Sequence, residues 1–385
     1  MSALTGARFP RWYDPLDDRV CRAAWSRLIE PGDVQAWEFV DEHGAGPALR
    51  CLVEHQAHPL VPQRWRVRLE VVEPVRDLSV VARFGGTFVV PGDAEWPRGL
   101  DDLGVTRPVG LWARGPVGPA SATARSVAVV GARTATPYGT ELTSSIALGC
   151  TDAGFAVVSG GAYGIDAAAH RAVLAGQGVT VAVLANGVDR FYPSGNDVLL
   201  RAVAESGCVI SEVPPGSSPT RYRFLQRNRI IAALARATVV VEAAWRSGAQ
   251  STANHALGLG RPVGACPGPV TSALSAGCHR LLRQGAVCVC DAGEVIELAT
   301  CLGEAPAAEP VLTPQPHDGL DARQLRVYES VPVRTPASLD SIGRTAGLDA
   351  PSVRAAVAAL VTRGLVTGAE GRWVRTRPGS SDGPG

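Results

Sequence analysis

Between Arg221 and Arg229 the chain reads Arg-Tyr-Arg-Phe-Leu-Gln-Arg-Asn-Arg, aromatic rings interleaved with guanidinium groups. That composition suits an unpaired nucleic-acid strand, because cations track phosphates while rings stack on bases that no duplex holds. Arg221, Phe224, Arg227, Asn228 and Arg229 are the candidate contacts. The competing reading is a solvated basic face with Phe224 in the core, yet arginines on an ordinary surface alternate with acids. Here they do not. From Val213 to Cys290 the sole acid is Glu242, against nine arginines; that stretch carries +8, and the remainder carries −7 of the overall +1. The near-neutral total conceals a strongly basic half.

Four further segments pair glycine with hydroxyl, amide or arginine groups directly after an apolar run. Gly131-Ala132-Arg133 follows Val127 to Val130, where a glycine lets backbone amides approach a phosphate at the start of the next helix. Ser159-Gly160-Gly161-Ala162-Tyr163-Gly164 offers a donor-rich cradle for an anion, and Asp166 is placed to cap the helix that follows. Asn186-Gly187 is a turn on local grounds and a candidate third wall. Ser247-Gly248 opens another helix, a further anion-accepting end. Gly-x-Gly-x-x-Gly is absent and Arg133 would hinder a pyrophosphate, which argues against a nicotinamide cofactor.

Other chemistries fare worse. All 37 residues counted as lysine plus arginine are arginine, which excludes a lysine Schiff base and a P-loop lysine. Nine cysteines are scattered without paired spacing, as in a chain from a reducing compartment. Their closest cluster, Cys278, His279, Cys288 and Cys290, lacks the spacer of zinc sites, and Val287 to Cys290 reads as a buried strand. His170, one turn into an alanine-rich helix, reads as a packed structural histidine. No nucleophile stands beside a base and no carboxylates pair, so no enzyme, metal or cofactor is expected. No basic-then-apolar leader occurs and no apolar run approaches the roughly 20 residues of a membrane helix, so the expected location is the cytoplasm.

The elements that must position these residues form an α/β pattern. Short, nearly continuous apolar runs at Val127 to Val130, Phe155 to Ser159, Thr180 to Leu184, Cys208 to Ser211, Thr238 to Glu242, Pro262 to Ala265 and Ala286 to Cys290 alternate with helical stretches. Strands buried on both faces of a parallel sheet read this way, so a doubly wound, Rossmann-like sheet is expected over residues 88–302, with ligands at the carboxyl ends of its strands. Residues 1–80 read as a small helical module, with helices from Asp17 to Ile29 and Asp33 to His43. Phe88 to Gly118, rich in proline and glycine, reads as an irregular lead-in. Residues 303–320 read as a proline-rich linker, residues 321–376 as three helices and a hairpin of winged-helix type, and 377–385 as a disordered tail.

Taken in order, Val130-Gly131-Ala132-Arg133, the loop from Ser159 to His170, Asn186-Gly187, Tyr192-Pro193, Ser211-Glu212, Arg227-Asn228-Arg229-Ile230-Ile231-Ala232, Val241-Glu242, Ser247-Gly248 and Pro267-Gly268 closely resemble the DNA-processing protein A (DprA, Smf) family, from about Pro91 to Leu298. The resemblance implies an extended Rossmann-like fold, a homodimer built through the core, and single-strand binding without hydrolysis. It also implies protection of incoming single-stranded DNA and loading of a RecA-type recombinase on it, as in natural transformation and homologous recombination. By motif, Arg133, Arg221, Phe224 and the Gly160-Gly161 loop match positions that meet the strand. Tyr163 and Ser194 stand where the family usually has basic residues, each removing a phosphate contact. Two other readings remain. A nucleotide N-glycosidase of the lysine-decarboxylase-like (LOG) group would need a Pro-Gly-Gly-x-Gly-Thr-x-x-Glu signature, whereas the rim here is Pro267-Gly268-Pro269-Val270. A DNA-binding regulator would act through the C-terminal segment.

Overall fold

The computed structural model describes residues 9–54, 61–300 and 318–376. Most of the expected linker and the whole expected tail lie outside those residues. The chain divides into two compact units, Met1–Ala308 and Glu309–Gly385.

Among its described residues the first unit opens with five helices, α1 (Asp18–Leu28), α2 (Val34–His43), α3 (Ala45–Glu54), α4 (Gln63–Leu69) and α5 (Pro74–Arg83). Asp17 and Asp33 cap the first two by accepting backbone N–H groups, and both helices lie within a residue of their expected bounds. Trp25 and Trp65 are fully buried and meet edge to face, 5.3 Å between centroids, at the centre of this module. The module is fastened to the sheet domain by the Arg223–Glu30 ion pair at 2.9 Å and by the Tyr222 hydroxyl donating to the Pro31 carbonyl.

Nine strands follow: β1 (Gly86–Val89), β2 (Leu111–Arg114), β3 (Ser126–Val130), β4 (Ala156–Ser159), β5 (Thr180–Leu184), β6 (Cys208–Ser211), β7 (Ala237–Val240), β8 (Val263–Ala265) and β9 (Val287–Cys288). They form one sheet in the order β1-β2-β6-β5-β4-β3-β7-β8-β9, parallel from β6 to β9 and antiparallel where β1 and β2 join. The helices between them are α6 (Pro119–Thr123), α7 (Pro137–Asp152), α8 (Ile165–Ala175), α9 (Asp197–Ser206), α10 (Arg221–Leu234), α11 (Gly248–Gly258) and α12 (Ala276–Arg283), and α13 (Ala292–Ala299) follows β9. Side-chain alternation sorts β3 cleanly: Val127 and Val129 pack with Ile146 of α7, Ile165 of α8 and Val295 of α13, whereas Ala128 and Val130 pack with Ile230 of α10 and Ala253 of α11. Both faces are covered, as continuous apolar runs require.

Two expectations need correction. The segment from Phe88 to Gly118 is not wholly irregular, since it holds the end of β1 and all of β2, which extend the sheet; each is only four residues long, too short for alternation to declare itself. Of Val287 to Cys290 only Val289 is buried, because this run forms the edge of the sheet.

In the second unit α14 (Ala322–Ser330), α15 (Leu339–Ala346) and α16 (Ala350–Thr362) pack on Val327, Ile342, Val353, Val357 and Leu360. They accompany a three-stranded antiparallel sheet of β10 (Ala337–Ser338), β12 (Arg372–Arg375) and β11 (Val366–Ala369). Among the described residues no helix is long and apolar enough to cross a membrane, and no group of three or more metal-binding side chains assembles.

Candidate nucleic-acid interface

From β3 the chain steps outward through β4 to β6, then returns to lay β7 on the other side of β3. A crevice outside the carboxyl ends of the strands opens at such a reversal. The loops that meet there are tied in sequence. Ile165 N–H donates to the Ala132 carbonyl (3.1 Å), joining the β4 loop to the β3 loop. Asn196 donates to the Gly161 carbonyl (3.0 Å) and Gly195 N–H donates to the Tyr163 hydroxyl (3.3 Å), joining the β4 loop to the segment after β5. Asn228 of α10 donates to the Gly248 carbonyl (3.2 Å) at the start of α11. Gly131, Arg133, Gly160, Gly161, Tyr163, Gly164, Arg221, Phe224, Ser247 and Gly248 are thus brought to one end of the sheet.

Phe224 stands at the junction. Its ring, half-buried, lies 5.9 Å from that of Tyr192, with the Arg133 guanidinium 5.3 Å and the Arg227 guanidinium 5.9 Å from its centroid. Arg133 is exposed, as is Arg221 three residues before Phe224 on the same side of α10. Thr220 caps that helix by accepting from Arg223 N–H. The platform therefore sets a partly open ring close to the exposed cations Arg133 and Arg221, the pairing that a stacked base and its phosphates require.

Other candidates lie inside and act by support. Arg227 is buried, donates to the Val183 carbonyl (2.8 Å) and faces the Asp166 carboxylate; burial pulls its pKa down to about 10, against the opposing pull of Asp166. Asp166 caps its own loop, rather than the following helix, by accepting from the backbone N–H groups of Gly160 (3.2 Å) and Ala162 (3.4 Å). Burial raises its pKa while Arg227 lowers it. Ser159 donates to the Val129 carbonyl and Asn186 to the carbonyls of Gly187 and Arg190; both are buried, as is Gly187, so they build the loops without facing a ligand. Arg229 is 2% exposed and its Nη2 bonds both oxygens of Glu212, at 2.7 and 2.8 Å. It is an interior ion pair, not a surface cation.

Gly160 has no room for a side chain, since a Cβ there would land on the Arg227 guanidinium, and Gly161 holds a φ of +68°. Gly160→Ala should therefore displace Arg227, cost about 1–3 kcal/mol of stability and weaken strand binding; melting and binding of that variant check both effects.

The basic stretch is also less basic in space than in sequence. Arg223 pairs with Glu30, Arg229 with Glu212 and Arg261 with Asp102, all acids outside the stretch. Arg221, Arg246 and Arg283 are exposed. Glu242, buried, accepts from Thr136 N–H (2.9 Å) and the Thr136 hydroxyl (2.6 Å), so it steadies the start of α7. Tyr192 is the site residue that sequence reasoning missed; its signal was its place beside Pro193 after β5, already noted as a motif.

A family model described as DNA recombination-mediator protein A matches residues 87–300. A DNA processing protein DprA of Mycobacterium tuberculosis is 42% identical over 373 residues, covering 93% of this chain and 95% of that one. Protein Smf of Escherichia coli is 41% identical over 172 residues, 44% of this chain and 46% of its own. The X-ray structure of DNA processing protein A from Streptococcus pneumoniae superposes with a TM-score of 0.62 at 30% identity, over 72% of this chain and 96% of that one. The Helicobacter pylori protein of that name, described for its single-stranded DNA binding mode, gives 0.50 at 27% identity, over 56% and 95%. The chain belongs to the DNA recombination-mediator protein A family, the DprA or Smf proteins.

Proposed function

We propose that this chain binds single-stranded DNA across the carboxyl ends of β3, β4 and β5, shields it, and loads a RecA-type recombinase on it in the cytoplasm, without catalysis. The observation that carries the reading is the Phe224 ring, half-open beside Tyr192 and flanked by the Arg133 and Arg227 guanidiniums. Arg227 braces the crevice from inside, and the exposed pair Arg133 and Arg221 meets phosphates. The protein works as a homodimer through the sheet domain. The C-terminal unit is a winged helix, and Arg354 on the exposed side of α16 is its candidate phosphate contact.

Binding of mixed-sequence single strand and of duplex, measured on the full chain across a salt series, tests the reading. Single strand should bind more tightly and lose affinity as salt rises, because each phosphate contact releases counterions. Phe224→Ala should weaken single-strand binding by about 1–3 kcal/mol with nearly the same salt slope. Arg133→Ala and Arg221→Ala should each reduce the slope by about 0.7. Equal affinity for duplex and single strand at every salt concentration would overturn the reading.

A further inference from the structure

A second ring stands across the reversal of the sheet from Phe224. Trp245 follows β7, in the loop that leads into α11, and is 51% exposed. The Arg280 guanidinium, from α12, lies 5.2 Å from its ring centroid. This arrangement is built rather than incidental. Gln250, buried in α11, donates to the carbonyls of Ala244 (3.1 Å) and Trp245 (2.9 Å) and accepts from Arg280 (3.4 Å). One side chain thus fixes both the loop that carries the ring and the cation against it.

The surroundings supply what a nucleotide needs besides a ring. Arg246, the next residue, is exposed. The Ser247 hydroxyl, at the N-cap of the eleven-residue helix α11, is buried and has no hydrogen-bond partner among the described residues. The first N–H groups of α11 add a partial positive charge at the same place. The two rings are also mechanically linked, since Asn228, one turn beyond Phe224 on α10, bonds the Gly248 carbonyl three residues beyond Trp245.

We propose that Trp245 is a second stacking platform for an unpaired base. The bound strand crosses from Phe224 over the β3–β7 reversal to Trp245, and Arg246, Ser247 and the N-terminus of α11 hold a phosphate on the way. This inference rests on the single-strand reading above and extends it to a longer footprint whose two ends are aromatic.

Oligothymidylates of increasing length, titrated against the full-length wild type, Trp245→Ala, Trp245→Phe and Phe224→Ala, test it. Wild-type affinity should rise in a step once the strand is long enough to reach the second ring. Trp245→Ala should abolish that step, lowering long-strand affinity about 5- to 100-fold with an unchanged salt slope and leaving the shortest strands bound as before. Trp245→Phe should restore most of the loss. If Phe224→Ala weakens binding while Trp245→Ala changes nothing at any length, the second platform is refuted and the first stands. If neither variant changes affinity, the single-strand reading at this crevice fails as a whole. A Trp245→Ala loss that appears wholly in the salt slope would refute stacking, since it would mean that the ring merely positions Arg280.

Discussion

Arg229→Met should lower the stability of the chain by about 3–5 kcal/mol, the usual cost of stranding one partner of a buried ion pair, and leave single-strand affinity per folded molecule and its salt slope unchanged. The Glu212 carboxylate, which burial pushes upward and Arg229 pulls down in pKa, would lose its main compensation. The Gly32 N–H of the helical module favours the same charge, so the damage falls in part on the seam between module and sheet. Glu212→Gln combined with Arg229→Met removes the stranded charge and should recover a large part of the loss, a coupling that a double-mutant cycle measures directly. Were Arg229 a phosphate contact, the outcome would invert: melting nearly unchanged, and a salt slope reduced by about 0.7. Chemical denaturation and salt-dependent binding on these variants separate the two.

That reassignment shows where the sequence was legible. Thr180 to Leu184 and Cys208 to Ser211 read as strands residue for residue, because a strand buried on both faces is apolar at nearly every position. The glycine-bearing loops could be placed for the same reason, as each follows directly on such a run. What a linear window could not see was partnership: Glu30, Glu212 and Asp102 neutralise arginines 193, 17 and 159 residues away. One signal was present in the sequence. Arg223, Arg227, Ile230 and Leu234 recur at helical spacing, so the stripe that carries two apolar side chains in the last turns of α10 also carries Arg227 inward. The basic run is therefore two populations. Its first turn is largely open to solvent, and every residue from Arg227 to Leu234 is buried.

His170 lies in this interior and predicts an acid-sensitive fold. Its Nδ1 lies 2.7 Å from the Thr180 hydroxyl, which itself donates to the Val157 carbonyl at 2.9 Å. The hydroxyl proton is thus committed, so Nδ1 must be the donor and Nε2 is left as a bare, buried lone pair with no partner among the described residues. Protonating it would place a cation in the core beside Arg227; burial first, then Arg227 and Arg171, drive its pKa from 6.5 to about 3. In the unfolded chain the same imidazole takes up a proton as pH falls below 6.5, while the folded chain refuses it until about pH 3. Protons therefore favour unfolding throughout that window. The stability is fully present above pH 6.5 and drains as pH falls, by roughly 5 kcal/mol in all, of which about 4 is lost by pH 3. Asp166 has the opposite sign, since its raised pKa lets the folded chain hold a proton at pH values where the unfolded chain has released it, so stability is lost there as pH rises. The wild type alone would blend the two. The difference between wild type and His170→Gln isolates the histidine, because Asp166 is common to both. Denaturation from pH 7 to pH 3 should show the wild type losing about 4 kcal/mol more than the glutamine variant, and strand binding by the wild type should show no inflection between pH 6 and 8. Parallel stability curves for the two proteins would mean that His170 is charged, or solvated, in the folded chain.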